Sequence, residues 1–163
     1  MDLFKNDNKW YIVIVDHYSR FFEVVELHRL RTLDVIQACK SVFCRFGVPI
    51  CVFSDSGTQF NHLDTSDFQS FASEWGFTTS RSSPHYHQAN GAAEAAVKIA
   101  KGLLKKNKGC FELSLLSYRT TPLETGFSPA DLVLSHFLHT GLNVDSDGFC
   151  SREGKYQEKY KTL

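Results

Sequence analysis

The pattern of apolar and polar positions changes period along this chain. Trp10-Tyr11-Ile12-Val13-Ile14-Val15 is a β-branched and aromatic run, bounded by the polar stretch Lys5 to Lys9. Asn6-Asp7-Asn8 suits a hairpin leading back to Asp2-Leu3-Phe4, and Phe21 to Leu27 reads as a third strand. Three neighbouring strands with short connections predict an antiparallel meander. From Thr32 the spacing becomes helical: Leu33, Ile36, Val42, Phe43 and Phe46 recur near one face, with Thr32 as N-cap and Gly47 as terminator. Pro49 restarts an extended segment, Ile50-Cys51-Val52-Phe53, whose apolar character predicts a buried parallel strand.

A second helix is expected from Ser66 to Trp75, closed by Gly76, and then a short strand from Phe77 to Ser80. The polar stretch Arg81 to Asn90 reads as a loop before a long helix from about Gly91 to Lys106. Shorter helices fit Phe111 to Tyr118 and Pro129 to Leu134. The order β-β-β-α-β-α-β-α with a helical end predicts an α/β domain whose mixed sheet is covered on both faces. Thr140 to Gly154 reads as a linker or tail, and Gly154 to Leu163 as charged and weakly helical.

Composition bounds the class. The chain of 163 residues, 42% hydrophobic and with 14 Phe, is one domain with material for a real core. It has no apolar run long enough to span a bilayer, and Met1 to Lys5 does not read as a signal peptide. Five cysteines form an odd set without metal-type pairing; Cys39, Cys44 and Cys51 are expected as buried free thiols, which fits a reducing intracellular compartment. The 18 basic and 18 acidic residues cancel, so any binding to nucleic acid must rest on a local patch.

Asp2, Asp55 and Glu94 are the carboxylates of interest. Two hard divalent ions roughly 3.5–4 Å apart need converging acidic oxygens to act on a phosphodiester. Asp2 falls on the first strand, Asp55 at the carboxyl end of the apolar strand, and Glu94 in the first turns of the long helix. Taken singly, each also has an ordinary reading: a solvated terminal residue, a turn residue before Ser-Gly, and an acid favoured by the helix dipole.

Blocks of sequence set those acids in a wider pattern. They are Met1-Asp2-Leu3-Phe4, Tyr11-Ile12-Val13-Ile14-Val15-Asp16-His17-Tyr18-Ser19-Arg20, Phe46-Gly47-Val48-Pro49, Ser54-Asp55-Ser56-Gly57-Thr58-Gln59-Phe60 and Glu74-Trp75-Gly76-Phe77. Ser82 to Glu94, Tyr118-Arg119-Thr120-Thr121-Pro122-Leu123 and Gly126-Phe127-Ser128-Pro129-Ala130-Asp131-Leu132 follow in order. In these blocks the chain resembles the integrase catalytic core of retroviruses and gypsy-type LTR retrotransposons, over about residues 1 to 136.

The resemblance implies an RNase H-like fold with a mixed five-stranded sheet, and a metal-binding DDE triad at Asp2, Asp55 and Glu94. Asp16 lies in a prominent block but on the second strand, where a structural role is expected. The implied cofactor is Mg²⁺ or Mn²⁺, two ions, with Asp2 bridging both, Asp55 completing one site and Glu94 the other. The implied reaction is DNA 3′-end processing by water, followed by attack of the freed hydroxyl on target DNA, with no covalent enzyme intermediate. The implied partners are element-end and target DNA and further copies of the chain, in the nucleus, with no membrane.

Several positions depart from the family pattern. His85 and His87 stand where Arg and Pro are usual, Ser56 where Asn is usual, and Ala92 and Ala95 where Glu and Arg are usual. The Asp55 to Glu94 spacing is also a few residues long. Because Met1 directly precedes Asp2, the core at 1–136 is expected to have a truncated first strand, with 137–163 as a C-terminal tail. The alternative function is therefore a truncated or domesticated fragment that binds DNA or a protein partner without catalysis. An RNase H-type nuclease or a transposase shares the chemistry but fits the block order less well.

At roughly 100° per residue, Glu94, Lys98, Lys101, Lys105 and Lys108 point within about 40° of one direction, with Ala92, Ala96, Ile99, Ala100, Leu103 and Leu104 opposite. Such a ridge is either a solvated helix face or a track for DNA phosphates. The resemblance favours DNA, with Lys98 and Lys101 at family positions that contact the element's end. It also places Tyr86, Gln88 and Asn90 in a loop that positions the terminal nucleotide. His85 and His87 are candidates for phosphate contacts there. His136 and His139 lack a cysteine pair, so no structural zinc is expected.

Overall fold

The computed structural model describes residues 1–54, 66–81, 91–106 and 110–134. Strands β1 (Asp2–Asn6), β2 (Lys9–Val15) and β3 (Phe22–Leu27) form the expected antiparallel meander. The β1–β2 hairpin turns on Asp7 and Asn8, with φ of 45° and 63°, and Asn6 pairs with Lys9. Two consecutive positive φ values match the right-handed strand twist, and short Asx side chains tolerate them.

Helix α1 (Thr32–Phe46) follows, then β4 (Cys51–Ser54), α2 (Ser66–Trp75) and β5 (Thr78–Arg81). Helices α3 (Gly91–Lys106), α4 (Phe111–Thr120) and α5 (Pro129–Leu134) complete the order. β4 and β5 pair in parallel from Cys51↔Thr78 to Ser54↔Arg81. The strands thus form two sheets, an antiparallel one of β1, β2 and β3 and a parallel one of β4 and β5, where the sequence predicts a single mixed five-stranded sheet. Met1 N donates to Phe53 O at 2.6 Å, so the start of the chain beside β1 touches β4.

Alternation along β1 and β2 sends side chains to two cores. Leu3, Ile12 and Leu27 face α1 and α2, where Val35, Cys39, Val42, Phe43, Phe68 and Phe71 close a core rich in rings. Phe43 and Phe77 meet edge to face at 5.5 Å, and Phe71 and Phe77 at 5.1 Å. Phe4, Val13 and Phe22 face the other way, against Ala96 and Ala100 of α3 and Leu115 of α4. The small alanines let α3 lie close to the sheet. Helices therefore cover both faces, as the element order predicts.

Four local expectations need correction. The N-cap of α1 is Arg31, not Thr32; Arg31 makes no side-chain cap bond, and its guanidinium instead pairs with Asp34 at 2.8 Å. The buried stripe of α1 is Val35, Ile36, Ala38, Cys39, Val42 and Phe43, while Leu33 and Phe46 are exposed. Ile50 is 90% exposed and stands just outside β4: parallel pairing begins one residue later at Cys51, and the Ile50 carbonyl accepts the Thr78 amide at 3.0 Å and its hydroxyl at 3.1 Å. Of the three thiols expected inside, only Cys39 is buried, and burial pushes it up to about 12; Cys44 is exposed and Cys51 half-buried.

Two of the sequence blocks are structural devices. Arg119 donates through Nε and Nη2 to Phe22 O, pairs with Glu23 at 3.0 Å and lies 4.3 Å over the Phe21 ring, tying α4 to β3. Ser128 N donates to Asp131 Oδ2 while Asp131 N donates to Ser128 Oγ, a buried reciprocal cap that starts α5.

Candidate active site

Asp2 pairs with Val13 across β1 and β2, and paired residues share a face. Val13 packs in the core under α3, so Asp2 projects on the α3 side of the sheet. Its half-buried carboxylate accepts the Leu3 amide at 2.7 Å. Glu94 is exposed in the first turn of α3, the helix that packs on β1 and β2. The fold thus brings the first strand's acid and the helix's acid to one side of the sheet from 92 positions apart. Asp55 lies just past Ser54 at the end of β4 and outside the described residues, as do Tyr86, Gln88, Asn90, His85, His87, Lys108, His136, His139 and the tail 137–163.

Asp16 is set apart by the same alternation. It follows Ile14 by two residues, and Ile14 packs against the α1–α2 core, so Asp16 belongs to the face away from Asp2. Its Oδ2 accepts both the Ser19 amide at 2.8 Å and the Ser19 hydroxyl at 2.6 Å. The carboxylate builds the β2–β3 turn, as expected of a structural residue.

Along α3, Glu94, Lys98, Lys101 and Lys105 are all exposed, whereas Ala92, Ala96 and Ala100 are buried and Ile99, Leu103 and Leu104 half-buried. The described ridge follows the helical spacing. Lys101 Nζ also sits 5.7 Å from the Phe4 ring centroid, so this lysine leans over the rim of β1.

Among the described residues no three of His, Cys, Asp and Glu converge on a metal-sized site. Asp2 and Glu94 offer only hard carboxylate oxygens, a donor set that suits Mg²⁺ or Mn²⁺ and would be poor for soft metals.

Against this geometry, the sequence matches the integrase core domain model over residues 1–87. The chain belongs to the integrase core domain family, a family of polynucleotidyl transferases. No curated protein matches the sequence. The structure resembles the catalytic core domain of BIV integrase with a TM-score of 0.68 at 19% identity, covering 82% of this chain and 92% of that one. It resembles the HTLV-2 integrase catalytic core domain, in complex with magnesium and in a trimeric form, with a TM-score of 0.64 at 17% identity, covering 80% and 90%. It also resembles a chain of the simian T-cell lymphotropic virus intasome in complex with PP2A regulatory subunit B56 gamma, with a TM-score of 0.70 at 19% identity, covering 84% of this chain and 53% of that one. At such identities the likeness shows the fold, which is RNase H-like.

Sequence reasoning did not foresee one feature of this integrase core. A cavity of about 540 Å³ opens beside the first turns of α3, with His17, Arg20, Ala92, Ala95 and Tyr118 among its walls. These residues come from three separate parts of the chain, so no local pattern announces them.

Proposed function

We propose that this chain is the catalytic core of an enzyme that trims and joins DNA ends, with Asp2, Asp55 and Glu94 holding two divalent ions, Mg²⁺ or Mn²⁺. The observation that carries the reading is that Asp2 projects on the side of the sheet covered by α3, the helix that bears Glu94 and the lysine ridge running on from it. The family match supports the reaction class. Ions bound there would lower the pKa of the attacking hydroxyl and offset charge building on the phosphoryl oxygens.

The protein's own residues do the positioning. Lys98, Lys101 and Lys105 hold backbone phosphates along α3, a contact blind to sequence and weakened by salt. Tyr86, Gln88 and Asn90 hold the terminal nucleotide. Rigid attachment matters because reacting atoms must sit within near-attack distance. The buried Ala93, Ala96 and Ala100 anchor the helix that carries Glu94. Element ends and target are both DNA in this reading, the working form is a homo-oligomer, and the setting is nuclear.

The test is a joining assay with labelled DNA ends in Mg²⁺ or Mn²⁺. Wild type should join, and Asp2→Asn, Asp55→Asn and Glu94→Gln should each abolish joining with unchanged circular dichroism. Wild-type-like joining by any of the three would remove that residue from the triad. A wild type that binds DNA, joins nothing and gains no thermal stability from the metal would favour the non-catalytic reading. For an enzyme, metal at about ten times its dissociation constant should add about 1.4 kcal/mol.

A further inference from the structure

We propose that the cavity beside α3 takes one unpaired nucleotide of a bound DNA strand, its phosphate on Arg20 and its base among Val15, Ala95, Ile99 and Tyr118. The inference rests on the DNA-joining reading and adds a binding site to it. At about 540 Å³ the cavity falls in the range of small-molecule sites, and its walls are mostly apolar with a few polar groups. Among its described lining residues Arg20 is the only one with a fixed charge and none is acidic. That combination selects an anion carrying a flat apolar body.

Arg20 is free to serve. Its exposed guanidinium makes no ion pair with any described residue. Its backbone is held on both sides: its amide donates to Asp16 O at 3.0 Å, and its carbonyl accepts Tyr118 Oη at 3.1 Å. The second bond also fixes the Tyr118 ring as a wall. His17, whose pKa burial lowers, adds no standing charge at neutral pH. Ala95 keeps the rim open one residue from Glu94, so an occupant would sit next to the proposed metal site. A base within a duplex is stacked and cannot enter, whereas an unpaired one loses little by doing so.

The experiment compares two DNAs of equal charge by anisotropy: a blunt duplex, and a duplex one base pair shorter with a single unpaired 2-aminopurine nucleotide on each strand. Wild type should prefer the unpaired DNA by roughly tenfold and change its 2-aminopurine emission, as expected for one buried base. Arg20→Ala and Ala95→Leu should each abolish the preference and the emission change, while Lys98→Ala should weaken both DNAs alike. Melting curves check that the variants fold. No preference in wild type, or a preference that survives both substitutions, overturns the proposal while leaving the joining reading standing. Failure of wild type to bind either DNA overturns both. A free mononucleotide that competes as well as the unpaired DNA would show a site for soluble nucleotides and overturn the assignment to a DNA strand.

Discussion

Arg119 donates two hydrogen bonds, at 3.2 and 2.7 Å, to the main-chain oxygen of Phe22, 97 residues earlier in the chain. The same guanidinium pairs with Glu23 at 3.0 Å, where both side chains are largely shielded from water. Burial lowers the Arg119 pKa and Glu23 opposes that shift. Arg45, 3.6 Å from the other Glu23 oxygen, brings the end of α1 to the same point.

Removing Arg119 leaves a largely buried carboxylate and an unsatisfied carbonyl. Arg119→Ala should lower the unfolding free energy by about 3 kcal/mol, read from urea denaturation. Arg119→Lys should recover only part of the loss, because an ammonium cannot present the fork that meets Phe22 O and Glu23 together.

The α3 interface should resist enlargement. Ala100 is fully buried between the helix and Phe4, Val13 and Phe22. Ala100→Leu should cost about 2 kcal/mol by overpacking. It should also lift the helix that carries Glu94, so the thermal stabilisation by Mg²⁺ should shrink along with the stability. An unchanged metal response would show that Glu94 does not depend on this seat.

His17 gives a pH signature. Its pKa is lowered by burial first, then by the amino terminus and Arg20, against a smaller pull from Asp16. A histidine with a depressed folded pKa binds more protons when unfolded, so stability rises with pH in that window. The contribution is present above about 6.5, the ordinary histidine value, and declines as pH falls from there towards the folded pKa. His17→Gln should flatten the stability curve in this window, and the His17 ring should titrate below the ordinary value by NMR.

The lysine ridge should act through phosphate alone. Each of Lys98→Ala and Lys101→Ala should reduce the slope of log affinity against log salt by about one, uniformly across DNA sequences. A sequence-dependent loss would place these side chains on bases instead.

Much of this molecule was legible in its sequence because it is local. The β-branched and aromatic run Trp10 to Val15, the period of 3.6 in α1 and α3, and the Asx turn at Asp7-Asn8 all report interactions over a few residues, and the elements lie within a residue or two of expectation. The family blocks were legible too, and with them the candidate acids. What the blocks do was another matter. Arg119 lies within one of those blocks, yet it bolts α4 to β3, and Asp16 builds a turn on the face away from Asp2.

Only the tertiary structure decided those roles, since they depend on which side of the sheet a residue meets and on partners far along the chain. The projection of Asp2 on the α3 side follows from the β1–β2 register, where a one-residue slip would send the carboxylate to the opposite core. That Ile50 stands outside β4 follows from where parallel pairing with β5 begins. The cavity around Arg20 exists because three distant segments leave space between them. Hydrophobic periodicity is a property of neighbours in sequence, whereas a site is a property of neighbours in space.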